Sequence, residues 1–193
     1  MSRQEFAKKY ELPKKDRFTV VGNLRPMEEK DAKEVGRLLR EQNEKFGIHT
    51  IYSKAEILHW FMTREGVVHT YVVENPEKKG SLTDFMSFTI FHQHVLNGKE
   101  LGHNYVMDDE ATFFYYAFTK NTYMDMIKAA LWLAKDELKV DSLAINIVQE
   151  HDAETLEKEL KFLPDNQAFN YYLTNYSLGE REIRPSDVGI VFP

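Results

Sequence analysis

Apolar residues recur at the spacing of an α-helix in four parts of the chain. Residues 28–46 place Val35 and Leu39 on one face of such a helix. A short helix begins at Ser53, because Ser53 followed by Glu56 has the pattern of a capping box. The helices predicted in this way are 28–46, 53–61, 122–139 and 154–160.

Runs rich in β-branched and aromatic residues predict strands between these helices. Residues 75–80 have the composition of a turn and join two of the runs into an antiparallel hairpin. Residues 96–110 contain Asn97-Gly98 and an acidic cluster, and are predicted to be a loop. The predicted strands are 18–21, 67–74, 82–91, 111–119, 141–148, 169–176 and 188–192.

Helices and strands therefore alternate, while one pair of strands is antiparallel. The predicted fold is α/β, with a mixed, largely antiparallel sheet and flanking helices. A chain of 193 residues that is 42% hydrophobic can form a packed core. The first residues are charged and include Pro13, so we expect residues 1–23 to form an N-terminal arm and residues 24–193 to form one domain.

Composition excludes several kinds of chemistry. The formal net charge is -6 and no stripe of Lys and Arg is present, which argues against a nucleic-acid partner. The absence of cysteine excludes disulfides, thiolate catalysis and cysteine-ligated zinc. The N-terminus does not have the pattern of a signal peptide, and no apolar run approaches about 20 residues. We therefore expect a soluble, cytoplasmic protein with no transmembrane segment.

Two histidines give the one metal-like motif. His92 and His94 lie on the same face of a strand, and His103 or residues 108–110 would have to supply a third ligand. The alternative is a polar patch near a strand end. The patch is the interpretation we favour, so no metal is assigned. Neither a glycine-rich phosphate loop nor a nucleophile elbow is present. The residue patterns alone thus predict an α/β domain with an apolar C-terminus.

Several segments, in order and at nearly fixed spacing, resemble a known family. The most informative are LRPMEEKDAKEVGRLL (24–39), EILHWF (56–61) and VVHTYVVENPEKKGSLTDFMSF (67–88), followed by ALWLAKDE (130–137), LEKELKF (156–162), NYYLTNY (170–176) and PSDVGIVFP (185–193). Together they resemble the C-terminal half of eukaryotic glycylpeptide N-myristoyltransferase. The segment KKYELPKK (8–15) is similar to the linker between the two halves of that family.

The resemblance implies a GNAT-like acyltransferase fold and protein lipidation as the activity. Myristoyl-CoA would be the co-substrate, with no permanently bound cofactor, and the acceptor would be the N-terminal glycine of a peptide or protein. In that family most acyl-CoA contacts belong to the N-terminal half. The implied partner is therefore such a half-domain, or a second copy of this chain. A diverged, non-catalytic peptide-binding or scaffold module is the alternative.

The resemblance also implies a set of site residues. The C-terminal carboxylate of Pro193 would be the general base, since a free α-carboxyl has a pKa of about 3.5 and is ionised at neutral pH. Phe192 and Gly189 would shape the floor of the cleft. Gln93 stands where the family has a groove serine, and Thr112 where it has a groove tyrosine. The residues expected to line the groove are His92, Gln93, Thr112, Asp165 and Asn166.

Overall fold

The computed structural model describes residues 5, 8, 10–94, 107–165, 170–172, 174–175 and 183–191. Its helices are α1 (Ala32–Asn43), α2 (Lys54–Phe61), α3 (Tyr123–Trp132, continued by a π-helical segment, Leu133–Leu138) and α4 (Ala153–Leu160). Its strands are β1 (Asn23–Pro26), β2 (Ile48–His49), β3 (Val68–Glu74), β4 (Leu82–His94), β5 (Met107–Phe118), β6 (Ser142–Ile145) and β7 (Val188–Gly189). Within these ranges, no helix has the length and apolarity that crossing a membrane requires.

Five strands form the main sheet in the order β1-β3-β4-β5-β6. Strands β1, β3, β4 and β5 pair antiparallel with their neighbours, whereas β6 is parallel to β5. A separate parallel pair joins β2 to β7. The prediction of a mixed, largely antiparallel sheet with flanking helices is confirmed.

Apolar side chains pack on both faces of the main sheet. On one face, which we call the α1/α2 face, the buried residues include Leu38, Leu39, Ile57, Phe61, Phe85, Tyr115 and Val191. On the opposite face, the α3 face, they include Met86, Phe88, Phe113, Tyr116, Met126 and Ile127. The segment that ends the described chain therefore belongs to the core of the α1/α2 face.

The helix starts follow the predicted capping chemistry. In α2, the Glu56 N–H donates to Ser53 Oγ at 3.3 Å, and the Ser53 N–H donates to Glu56 Oε2 at 2.7 Å. In α3, the Asp125 N–H donates to Thr122 Oγ1 at 3.2 Å. Caps of this kind contribute about 1 kcal/mol each. The helix predicted over 28–46 is also confirmed, as a 3₁₀ turn (Glu29–Asp31) followed by α1.

The strand predicted at 18–21 is wrong. The Val21 N–H donates to the Asn121 side-chain oxygen at 2.6 Å, so a side chain takes a backbone donor that a strand would use. Pairing starts two residues later, where Asn23 lies opposite Glu74. Apolar β-branched composition did not distinguish this packed arm from a strand.

The loop predicted over 96–110 is wrong for its last residues, which belong to β5. Here Asp109 pairs with His92 and Glu110 pairs with Phe91. The acidic side chains of residues 108–110 are half-buried at the sheet end, so acidic composition did not prevent strand formation. Residues 95–106 lie outside the described ranges.

Three other strand predictions, for 141–148, 169–176 and 188–192, differ from the structure. Strand β6 ends at Ile145 rather than 148, and the chain then turns through Gln149, whose φ is 59°. Of the predicted strand 169–176, residues 170–172 and 174–175 are described and lie outside strands. Among the described residues of the last predicted strand, 188–191, only Val188 and Gly189 pair regularly.

Candidate functional site

The C-terminal segment is held in place by contacts with distant parts of the chain. Val188 and Gly189 pair in parallel with Ile48 and His49. The Gln149 N–H donates to the Val188 carbonyl oxygen at 3.1 Å. These contacts fix the direction in which the chain approaches the core.

Two tyrosines hold the next residues. The Tyr171 hydroxyl donates to the Ile190 carbonyl oxygen at 2.9 Å. The Val191 N–H donates to the Tyr115 hydroxyl at 3.2 Å, and Val191 is 5% exposed. Since Tyr115 lies on β5, an interior strand, the chain reaches the core on the α1/α2 face of the main sheet at Val191. Phe192 and Pro193, which follow, lie outside the described ranges.

An aromatic cluster surrounds this contact. The Tyr52 ring packs edge-on against Tyr115 at 5.7 Å and against Phe61 at 5.5 Å between ring centroids. Burial raises the pKa of Tyr52, with a smaller contribution from Tyr115. Its hydroxyl therefore stays protonated at neutral pH and is available as a hydrogen-bonding group but not as a base.

Gly189 allows the close approach of the C-terminal segment to Phe46, which lies just beyond the end of α1. A Cβ atom at this position would lie 2.5 Å from Phe46 Cδ2 and 2.9 Å from Phe46 Cγ. The backbone therefore packs directly against the ring. That Gly189 shapes the floor of a substrate cleft stays a prediction.

Gln93 and Thr112 lie along one strip of the sheet. Thr112 pairs with Thr89 across β4 and β5, and Gln93 lies four residues beyond Thr89 on the same face. Thr89 and Thr112 are both less than 9% exposed, and Thr89 Oγ1 has no hydrogen-bond partner within the described structure. The strip continues through Phe91, which is 40% exposed. It combines apolar surface with buried hydroxyls, as ligand-binding surfaces do.

Carboxylates lie at the open end of the strip. Glu110 is opposite Phe91, and burial raises the pKa of Glu110, aided by the charges of Asp108 and Asp165. A hydrogen bond from Ser142 acts in the other direction. Asp165 is thus close enough to influence Glu110, which brings it near the strip that carries Gln93 and Thr112.

His92 points away from this strip. It alternates with Gln93 on β4, and its Nδ1 lies 2.7 Å from Asp109 Oδ1 while its Nε2 lies 3.0 Å from the Gly66 carbonyl oxygen. The hydrogen bond to Asp109 is the main reason that the pKa of His92 is raised. His92 therefore joins the end of the β4–β5 hairpin to the turn before β3, and it does not join Gln93 and Thr112.

The metal-like histidine motif finds no third ligand in the part of the chain described. There, no three His, Asp or Glu side chains converge as metal ligands would. Both His92 nitrogens already have partners, and His103 lies outside the described ranges. Asn166, another residue expected in the groove, also lies outside them.

Sequence patterns missed the residues that hold the C-terminal segment. Tyr115 belongs to an aromatic run that predicts only a buried strand, and Tyr52 precedes a helix cap with no sign of a role. Tyr171 lies in a segment predicted to be a strand. A contact between Tyr115 and Val191 spans 76 residues, and local pattern carries no signal for it.

The folded sheet is of the acyl-CoA N-acyltransferase type. The ribosomal-protein-alanine N-acetyltransferase from Brucella melitensis biovar Abortus 2308 superposes with a TM-score of 0.51 at 15% identity, over 78% of this chain and 98% of that one. Similarity at this level concerns the fold alone. Saccharomyces cerevisiae N-myristoyltransferase, solved with bound myristoyl-CoA, superposes with a TM-score of 0.67 at 25% identity, over 84% of this chain and 39% of that one.

Sequence comparison identifies the family. Residues 1–191 match the model for the myristoyl-CoA:protein N-myristoyltransferase, C-terminal domain. The chain is 31% identical over 191 residues to glycylpeptide N-tetradecanoyltransferase 1 of Arabidopsis thaliana, covering 99% of this chain and 41% of that protein. It is 32% identical to the Plasmodium falciparum enzyme, covering 89% and 39%. The chain belongs to the N-myristoyltransferase C-terminal domain family, and it spans about 40% of the length of these relatives.

Proposed function

We propose that this chain is the peptide-binding half of a glycylpeptide N-myristoyltransferase. Completed by an acyl-CoA-binding half, it transfers the myristoyl group of myristoyl-CoA to an N-terminal glycine in the cytoplasm. The observation that carries the proposal is the position of the C-terminal segment, in which Val191 is buried and hydrogen-bonded to Tyr115 on the interior strand β5. The family match supports it, as does the bound myristoyl-CoA of the yeast structure. Residues 24–193 form the domain in this proposal, and residues 1–23 link it to the other half.

The proposed base is the carboxylate of Pro193. This role requires that Pro193 be the last residue of the protein, because only a terminal residue has a free α-carboxylate. The carboxylate takes a proton from the glycine ammonium, and the resulting amine attacks the thioester carbonyl carbon. A carbon–nitrogen bond forms, the carbon–sulfur bond breaks, and coenzyme A leaves as a thiolate that is then protonated. Because the terminal carboxylate performs this role, the side chain of the last residue is free to vary.

The proposed peptide surface is the strip that carries Gln93 and Thr112. Thr89 and Thr112 offer hydroxyls at its buried end, while Asp165 contributes negative charge at its open end. Asn166, Phe192 and His92 are retained in the proposal on the family resemblance. For His92, the hydrogen bonds to Asp109 and Gly66 limit the proposed role to positioning the end of the β4–β5 hairpin.

The test is a thiol-release assay with myristoyl-CoA and a glycine-initiated peptide, using the chain combined with an acyl-CoA-binding half from a relative. We expect thiol release that requires both halves and the free glycine amine. A short Gly-Ser extension after Pro193 should abolish release and leave the urea unfolding curve unchanged. The same extension before Met1 is the matched control and should leave release intact. Equal activity of the C-terminally extended protein would refute the carboxylate mechanism.

A non-catalytic peptide-binding module is the second candidate. The observation that favours it is the polar strip itself, where Gln93 and Thr112 replace the groove serine and tyrosine that the family resemblance predicts. This candidate requires peptide binding without thiol release, even when an acyl-CoA-binding half is present. Measuring the mass of the chain in solution tests whether a second copy takes the place of that half.

A further inference from the structure

A basic concavity lies between α1 and α2, outside the candidate peptide surface. It has a volume of about 320 Å³, and its walls include Lys33, Arg37 and Arg40 from α1 and Lys54 from α2. An adjoining concavity of about 380 Å³ shares Lys33 and Lys54 and adds Lys30. Five cationic side chains and two acidic ones, Glu29 and Glu34, therefore line these two adjoining concavities, called the depression below, in a protein whose formal net charge is -6.

Three of these cations form no ion pair with any residue that the structure describes, whereas Lys30 pairs with Glu28. Within the described ranges, the side chains of Lys33, Arg40 and Lys54 form no ion pair, whereas Arg37 pairs with Glu34 and Glu41. The carboxylate of Glu34, which also lines the depression, is thus already engaged by Arg37. Unpaired cations that converge on a concave surface attract anions, because the low-dielectric walls focus their field.

We propose that the depression between α1 and α2 binds a phosphate-bearing anion. Arg40 can donate two parallel hydrogen bonds to phosphate oxygens, and Lys33 and Lys54 supply point charges on the other walls. The phosphate can belong to a soluble polyphosphate or to a lipid headgroup. Ile51, which precedes the lining residue Tyr52, is 77% exposed and would contact acyl chains in the lipid case. Tyr52 lines the depression and also packs against Tyr115, so the test substitutes only Lys33, Arg40 and Lys54, none of which belongs to the groups proposed for acyl transfer.

The test uses the full chain and inorganic pyrophosphate in titration calorimetry. The triple substitution Lys33→Gln, Arg40→Gln, Lys54→Gln should weaken binding by at least about tenfold, which corresponds to roughly 1.4 kcal/mol. The matched control is Lys128→Gln, Lys135→Gln, Lys139→Gln, which changes the net charge equally on the α3 side and should bind as the wild type does. All three residues of the site are exposed, so we expect the urea midpoint of the triple variant to be unchanged.

Sedimentation with vesicles of phosphatidylserine and phosphatidylcholine separates the two sources of phosphate. Binding to these vesicles that is lost in the triple variant and reduced by Ile51→Ser assigns the site to lipid headgroups. Binding of pyrophosphate alone assigns it to a soluble phosphate. Absence of binding in both assays overturns the proposal. Equal loss of binding in the triple variant and in its charge-matched control also overturns it, because binding would then follow net charge alone.

Discussion

Replacing Gly189 by alanine tests how closely the C-terminal segment packs against Phe46, just beyond the end of α1. The added Cβ would lie 2.5 Å from Phe46 Cδ2, whereas carbon atoms in contact prefer about 3.5–4.0 Å. One of the two groups must therefore move by about 1 Å. Phe46 has little room, since it is 5% exposed and its carbonyl oxygen lies 3.0 Å from His49 Nδ1. Overpacking of this kind costs about 1–3 kcal/mol.

Two measurements distinguish strain within the folded state from detachment of β7. Urea unfolding reports a loss of about 1–3 kcal/mol if the strained segment stays in place. If β7 detaches instead, the Gln149 amide should exchange with solvent faster, because its N–H donates to the Val188 carbonyl oxygen. Detachment would also displace the residues after Val191, so thiol release should fall together with amide protection.

Gly36→Ala is the control for the loss of a glycine. Its added Cβ would lie 3.6 Å from Ile57 Cγ1, an ordinary contact, and in a helix alanine is favoured over glycine by about 0.5–1 kcal/mol. The Phe46→Ala background should reduce the penalty of Gly189→Ala, since the ring atoms are gone. Wild-type unfolding and wild-type Gln149 exchange in Gly189→Ala would refute the argument from close packing.

Three further predictions concern buried and titrating groups. Asp84→Ala should lower the free energy of unfolding by at least about 3 kcal/mol in urea, because the backbone N–H groups of residues 119–121 lose their common acceptor. The hydrogen bond to Asp109 raises the pKa of His92 in the folded protein. The stabilisation by His92 is therefore complete below about pH 6.5 and is lost as the pH rises through the folded-state pKa. His92→Gln should remove this pH dependence from the free energy of unfolding. Burial lowers the pKa of His151 to about 4, so stability should fall by about 3 kcal/mol as the pH drops from about 6.5 to about 4, and His151→Phe should flatten that slope.

Local chemistry predicted the helices and most of the main sheet. The Ser53 capping box is present, and the hairpin of β3 and β4 forms around the predicted turn. These features depend on residues a few positions apart, so their pattern is visible in the sequence. The arm at 18–21 was mistaken for a strand because its partner, Asn121, lies 100 residues away.

The candidate site was predictable only in part. Gln93 and Thr112 were expected in one groove and do share one face of the sheet, because strand alternation and register place them there. His92 follows the same alternation and therefore lies on the opposite face. His92 pairs with Asp109 because β5 begins earlier in the chain than predicted. The acidic composition of residues 108–110 had favoured a loop there.

The contact between Tyr115 and the C-terminal segment depends on an irregularity in the sheet. In a regular strand Phe114 and Tyr115 would point to opposite faces, yet both belong to the α1/α2 core, while Phe113 and Tyr116 belong to the other. The register of β4 and β5 shifts between Met86 and Phe88, which indicates a β-bulge on β5 opposite Ser87.

Ser87 stabilises this bulge directly. Its hydroxyl donates to the Tyr115 carbonyl oxygen at 2.8 Å and accepts from the Tyr115 N–H at 3.0 Å. One serine thus replaces the strand pairing that the bulge removes, and this turns the Tyr115 hydroxyl towards Val191. A period-two pattern predicts alternation and cannot predict its interruption. The β-bulge that positions the proposed catalytic terminus is therefore an exception to the side-chain alternation of a regular strand.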